Sequence, residues 1–122
     1  MKKILKLFLS CGVLCGISLA PFSVSANESN LIALDVRTPE EFAESHLVGS
    51  VNVDFLAANF KEEISKYDQT KTYKVYCRSG NRSGQAVKIM QSLGFIDVEN
   101  LGSIKDAAEK LHRNCEGAHP SC

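Results

Sequence analysis

The sequence predicts an α/β domain: a parallel sheet of about four strands with helices on both faces. Two observations predict it. Short apolar runs alternate along the chain with segments whose apolar residues recur at helical spacing, the signature of βαβ units with right-handed crossovers. The composition is that of an ordinary globular chain of 122 residues, 44% apolar and 23% charged, a length that bounds it to one domain. Fourteen basic side chains stand against 14 acidic ones. No basic field is there to hold a phosphate backbone, which excludes nucleic acid as a partner class.

Residues 1–26 stand apart. Lys2, Lys3 and Lys6 precede an apolar stretch that closes on Pro21 and Ser23-Val24-Ser25-Ala26. This is the tripartite layout of a secretory signal peptide, with cleavage expected after Ala26. Residues 7–26 are long enough to span a bilayer, but Gly12, Gly16, Pro21 and the small-residue ending favour removal over anchoring. Neither Cys11 nor Cys15 lies in a convincing lipobox. The expectation is an exported, periplasmic protein with no membrane attachment after cleavage. Its domain covers residues 27–111 and is followed by a Cys/His-containing tail, residues 112–122. Cleavage removes three lysines and no acid, leaving 11 basic and 14 acidic residues, and reduces five cysteines to Cys77, Cys115 and Cys122. An odd number of thiols in an oxidising compartment leaves one to be explained.

Each element has a local cause. Leu31-Ile32-Ala33-Leu34 is an apolar run without helical spacing and reads as a buried strand that ends in Asp35-Val36. Thr38-Pro39-Glu40-Glu41 then combines an N-cap threonine, a proline at the first helical position and a glutamate able to close a capping box. In that helix Phe42 is expected to point inward while Glu40, Glu41 and Glu44 stay wet. Gly49 turns the chain into a second strand, Ser50-Val51-Asn52-Val53. Phe60, Ile64 and Tyr67 recur at i, i+4 and i+7 and predict an amphipathic helix. Tyr73 to Cys77 alternates and is β-branched or aromatic, which predicts a third strand. The next helix starts near Ser83, carries Ala86, Val87, Ile89, Met90 and Leu93, and is stopped by Gly94. A weak fourth strand comes next at Ile96 to Val98. The last helix starts at Ser103-Ile104-Lys105-Asp106 and buries Ile104, Ala107, Ala108 and Leu111.

In parallel sheets, sites lie beyond the carboxyl ends of the strands, and Cys77 ends one. The segment Cys77-Arg78-Ser79-Gly80-Asn81-Arg82-Ser83 runs from that strand directly into a helix. Gly80 and Asn81 tolerate left-handed dihedrals, so successive backbone N–H groups can converge on a small concavity. The helix start adds unsatisfied N–H groups and a positive dipole end. Arg78 and Arg82 add two permanent charges with forked donors. A thiol in that field ionises below its ordinary value and becomes a nucleophile near neutral pH.

At these residues the chain resembles the rhodanese family of sulfurtransferases, and within it the small exported single-domain kind. The loop from Cys77 to Arg82 matches the family's six-residue loop. The upstream signature matches Asp35-Val36-Arg37, Pro39-Glu40-Glu41-Phe42, His46-Leu47-Val48-Gly49 and Ser50-Val51-Asn52-Val53. The resemblance implies a rhodanese-like fold and transfer of a sulfane sulfur from thiosulfate to a thiophilic acceptor, cyanide or a thiol, through a Cys77 persulfide. It implies Arg78, Ser79, Gly80, Asn81, Arg82 and Ser83 as the binding loop, and no metal or organic cofactor. Partners are then a small anionic sulfur donor, the acceptor and a thiol-reducing protein. Two other readings remain: a persulfide or thiol-redox carrier serving a protein partner, and a non-catalytic binding module. A phosphatase or arsenate reductase places five residues between cysteine and arginine; Cys77 and Arg82 have four between them, a ring better sized for one sulfur atom. Where the family often has a glycine before the histidine, this chain has Ser45. Larger relatives carry an extra strand and helix ahead of Leu31, so a smaller sheet is expected here.

His46 reads as a structural residue that bonds backbone carbonyls. Asp35 and Arg37 form a local ion pair or line the pocket mouth, with Arg37 the candidate pocket residue. In the tail, His112, Cys115, His119 and Cys122 have a spacing of soft and borderline ligands that a zinc or copper ion could use. A Cys115–Cys122 disulfide is the simpler expectation in an oxidising compartment. Free thiols, one of them resolving the Cys77 persulfide, are the third.

Overall fold

The computed structural model of the protein describes residues 30–122; the expected signal peptide lies outside them. In order, the elements are β1 (Leu31–Asp35), α1 (Pro39–Glu44), β2 (His46–Leu47), β3 (Val51–Asn52) and α2 (Phe60–Ile64). Then come β4 (Thr72–Cys77), α3 (Asn81–Ser92), β5 (Asp97–Ser103), α4 (Ile104–Leu111) and β6 (Cys115–Glu116). Four strands form the main sheet in the order β3-β1-β4-β5, and every pairing is parallel. The crossovers therefore pass over the faces of the sheet, and alternate side chains of one strand must enter different cores.

Strand β4 shows this directly. Tyr73, Val75 and Cys77 point into a core made with Leu34, Val36, Phe60, Ile64, Ala86, Val87 and Met90, which joins α2 and α3 to the sheet. Tyr76 points the other way, toward Ala33, Leu47, Leu101 and Ala107, where α4 packs. Each fully buried aliphatic or aromatic side chain contributes about 1.5–3 kcal/mol relative to exposure. Cys77 thus ends its strand inside the larger core, with no solvent-exposed surface.

The helix starts have the predicted chemistry. Thr38 Oγ1 accepts from Glu41 N–H while the Glu41 carboxylate accepts from Thr38 N–H, and Ser103 with Asp106 repeats the arrangement at α4. Phe42 is half-buried and stacks on the His46 ring, centroids 3.8 Å apart, rather than entering the core. A six-residue helix whose side chains all avoid full burial is held by its cap and by this stacking on the first residue of β2.

Three further features differ from expectation. Helix α3 begins at Asn81, two residues ahead of Ser83, because Gly80 at φ +98° serves as its left-handed N-cap. The fourth strand is Asp97–Ser103 and not Ile96 to Val98; Ile96 is 74% exposed. As an edge strand β5 keeps polar side chains, pairing Thr72 with Asp97 and Lys74 with Glu99 across the ladder, and so lacks an apolar signature. The third feature is a second sheet, in which β2 pairs antiparallel with β6.

That second sheet makes residues 112–122 a strap across α1 and β2. Ala118 and His119 N–H donate to the Ala43 and Glu44 carbonyls, and Ser121 N–H donates to Ser45 Oγ. Cys115 and Cys122 are joined, their Cα atoms 5.8 Å apart. Beneath the strap, the buried Tyr76 hydroxyl accepts from Leu47 N–H at 3.1 Å and donates to Ser50 Oγ at 3.2 Å. Tyr76→Phe leaves the Leu47 N–H without its acceptor and is expected to cost about 1–3 kcal/mol in urea unfolding. Cys122→Ser opens the strap and is expected to cost roughly 2 kcal/mol by the same measurement, with the native chain in reductant shifted equally.

Candidate active site

The site is built where β4 hands over to α3. Cys77 Sγ accepts a hydrogen bond from Gly80 N–H at 2.9 Å and lies 3.3 Å from the buried Ser83 hydroxyl. Both donors arise from the local fold. Gly80, in a left-handed conformation, turns its N–H back toward the sulfur, and a side chain there would meet Gly102 Cα at 3.2 Å. The first helical bond of α3 runs from Gly84 N–H to the Gly80 carbonyl. The N–H groups ahead of it, through that of Ser83, therefore have no partner within the helix. Burial alone pushes the Cys77 thiol up. The Ser83 hydroxyl and the amides of Ser83, Gly80 and Ser79 outweigh it, so the thiol lies below its ordinary value.

The two loop arginines play different parts. Arg78 is exposed and takes part in no ion pair among the described residues. Arg82 is partly exposed and forms a fork-to-fork pair with Glu41, Nη1 to Oε2 at 2.9 Å and Nη2 to Oε1 at 3.1 Å. Glu41 is thus not the wet surface residue expected: one carboxylate closes the α1 capping box and grips the loop. The capping signal placed Glu41 on the first turn, but nothing local placed that turn beside Arg82. The Arg82 guanidinium is the main cause that holds the Glu41 carboxyl at about 2, against an ordinary 4.5.

Arg37, the candidate pocket residue, is buried, and its guanidinium faces inward. Its Nε and Nη2 donate to the Asp35 carboxylate, Nη2 also donates to the Ser45 carbonyl, and the group lies 5.8 Å from the Tyr76 ring centroid. A carboxylate with no exposure requires such a partner. The pair joins β1 to the start of β2. Asn81 is exposed, and its Oδ1 accepts from Gln85. Ser79 is exposed as well.

In the tail, Cys115 and Cys122 are bonded to each other and His119 Nδ1 lies 2.9 Å from Glu44 Oε1. His112, Cys115, His119 and Cys122 therefore do not converge, and no cluster of three His, Cys, Asp or Glu fit to hold a metal occurs among the described residues. His46 lies between the Phe42 carbonyl and Glu116, a brace between α1, β2 and the strap. Asn100, which no sequence motif marks, touches both loop and helix: Nδ2 donates to the Gly80 carbonyl and Oδ1 accepts from Ser83.

Fold and loop together define an α/β domain whose strand-end cysteine sits in a cradle of amides. Residues 22–110 match the family model described as Rhodanese-like domain. The thiosulfate sulfurtransferase PspE of Escherichia coli is 37% identical over 75 residues, 62% of this chain and 72% of that protein. The thiosulfate:glutathione sulfurtransferase of Saccharomyces cerevisiae is 31% identical over 95 residues, 68% of each chain. A solved rhodanese with anions from E. coli superposes with a TM-score of 0.56 at 38% identity, covering 62% of this chain and 89% of that one. This chain belongs to the rhodanese-like domain family. It is a sulfurtransferase of the rhodanese type.

The Glu41–Arg82 pair carries a pH signature. A carboxyl depressed from 4.5 to about 2 stabilises the fold fully above its unfolded value, and that contribution is lost as pH falls from 4.5 toward 2. Because both side chains are partly exposed, the contribution is discounted to about 0.5–1 kcal/mol. Urea unfolding across this range is expected to show the acid loss in the native chain and a reduced slope in Glu41→Gln.

Proposed function

We propose that the protein moves a sulfane sulfur from thiosulfate to a thiophilic acceptor through a persulfide on Cys77. The observation that carries this reading is the Cys77 sulfur itself: fully buried, held below its ordinary thiol value, and met by the Gly80 N–H and the Ser83 hydroxyl. Such a thiolate is a nucleophile without a separate base.

The chemistry balances in two steps. Cys77 thiolate donates an electron pair to the outer sulfur of thiosulfate, the sulfur–sulfur bond to the sulfonate breaks, and sulfite departs with that bond's electrons. The negative charge of the thiolate moves to the outer sulfur of the new persulfide. Cyanide or a thiolate then takes that outer sulfur, leaving as thiocyanate or a new persulfide, and Cys77 thiolate is restored. No electron enters or leaves overall, so neither step needs a metal or an organic cofactor. Thiosulfate is a dianion approaching an anion, and exposed Arg78 at the loop rim lowers that repulsion. The amides of Ser79, Gly80 and Ser83 offer the charged sulfur donors in place of water. Arg82, paired with Glu41, shapes the loop.

The compartment belongs to the same proposal. The charged start, apolar stretch and small-residue ending of residues 1–26 support export to the periplasm, with the domain of residues 27–111 and its tail released. The Cys115–Cys122 bond suits an oxidising compartment, where Cys77 needs a reducing partner to stay a thiol. The relatives' names support thiosulfate as donor.

Cys77→Ser is expected to fold with an unchanged urea midpoint and to lose sulfur transfer from thiosulfate to cyanide entirely. Intact mass of the native chain after thiosulfate is expected to rise by one sulfur atom, reversed by reductant. Transfer retained by Cys77→Ser would overturn the reading.

A further inference from the structure

Ser83 has one hydroxyl proton and two acceptors within reach. Its Oγ lies 3.3 Å from Cys77 Sγ and 2.7 Å from Asn100 Oδ1, ordinary distances for a sulfur and an oxygen acceptor, and a hydroxyl donates to one acceptor at a time. The Asn100 amide is held at three points. Oδ1 accepts from Gly102 N–H at 2.9 Å as well as from Ser83, and Nδ2 donates to the Gly80 carbonyl at 3.1 Å. Two donors on one end and a carbonyl on the other fix which end is oxygen.

The backbone explains how Asn100 comes to be there. Along β5, Asn100 pairs with Val75 and Gly102 pairs with the next residue, Tyr76, so Leu101 is the extra residue of a bulge. Bulges bend a strand and re-aim its side chains. Here Leu101 is buried on the α4 side, while Asn100 reaches over the carboxyl end of β4 to the loop.

We propose that Asn100 is a positioning residue that makes the Ser83 hydroxyl a two-position donor, turned to Cys77 Sγ when that sulfur is ionised and to Asn100 Oδ1 when it is not. With a protonated sulfur, the thiol S–H points to Ser83 Oγ and Ser83 donates onward to Asn100. With a thiolate, the Ser83 proton rotates to the charge. The third state rests on the persulfide reading above: once the charge has moved to the outer sulfur, the inner sulfur is a poor acceptor and the proton returns to Asn100. A buried hydroxyl without an acceptor is costly. Without Asn100, the ionised sulfur is the one acceptor left to Ser83 among its observed partners, and ionisation is favoured for that reason alone.

The test is a double-mutant cycle read on ionisation of Cys77. The rate of Cys77 alkylation by iodoacetamide, followed by mass, is measured against pH for the native chain, Asn100→Leu, Ser83→Ala and the double variant. Loss of the Gly80 contact shifts the midpoint alike in both backgrounds, so the difference between backgrounds isolates the path through Ser83. Asn100→Leu is expected to lower the midpoint by at least about half a pH unit more in the native background than in Ser83→Ala. That is roughly a threefold change in the thiolate-to-thiol ratio. The charged groups around the sulfur and the bulge, Arg78 and Arg82 on the loop, Asp35 on β1, Glu41 on α1 and Asp106 and Lys110 on α4, are identical in all four proteins. Equal shifts in the two backgrounds would overturn the proposal. Asn100 is exposed; should the leucine variant fail to fold, Asn100→Ala carries the same expectation. Because alkylation reads ionisation alone, sulfur transfer surviving in Cys77→Ser would defeat the persulfide reading and leave this outcome standing.

Discussion

Cys77 Sγ is withdrawn from water, and its thiol nevertheless lies below the ordinary value, because donors of the chain stand where solvent would. Most of the molecule can be understood as holding those donors in place. The sulfur needs β4 to end inside the larger core, Gly80 to turn left-handed, and α3 to begin so that its first unsatisfied N–H groups face back toward the strand end. Each requirement is local in origin but useful only in combination. A helix starting two residues later, as the apolar pattern alone indicates, would withdraw the amides from the sulfur.

Around this centre lie three braces, each made of a charged or polar group held by a fixed partner. Glu41 joins the cap of α1 to Arg82 on the loop. Asp35 and Arg37 join the end of β1 to the Ser45 carbonyl at the entrance to β2. Asn100 joins the bulge of β5 to Gly80 and Ser83. The C-terminal strap reinforces the second of these from outside, through β6 against β2 and Ser121 against Ser45. The charge balance at the loop is a consequence: with Arg82 satisfied by Glu41, the positive charge presented outward is that of Arg78.

How much of this is legible in the sequence depends on the range of the interaction. The elements whose cause is local are readable: the proline and capping box at Thr38 to Glu41, the apolar run of β1, the alternation of β4, and the stripe of α4. Strand β5 is half-hidden because an edge strand has no need of apolar residues, so its polar run carries no periodic signal. The two-residue strands β2 and β6 are not readable at all, since neither is a strand except in contact with the other. The ligand-like spacing of His112, Cys115, His119 and Cys122 misleads for a related reason. Spacing along a chain says nothing of partners elsewhere, and Glu44 holds His119.

The sequence by itself determined the class of fold, the place of Cys77 at a strand end, and the glycine that lets the adjoining loop curl, because periodicity, capping and left-handed backbone are properties of neighbours in the chain. Only the tertiary structure decided which groups meet across it: Glu41 with Arg82 over 41 positions, Ser45 with Ser121 over 76, and Asn100 with Ser83 over 17. The reason is physical. A charged or amide side chain is equally content in water or against a partner until burial removes the water, and burial is fixed by the packing of the whole chain.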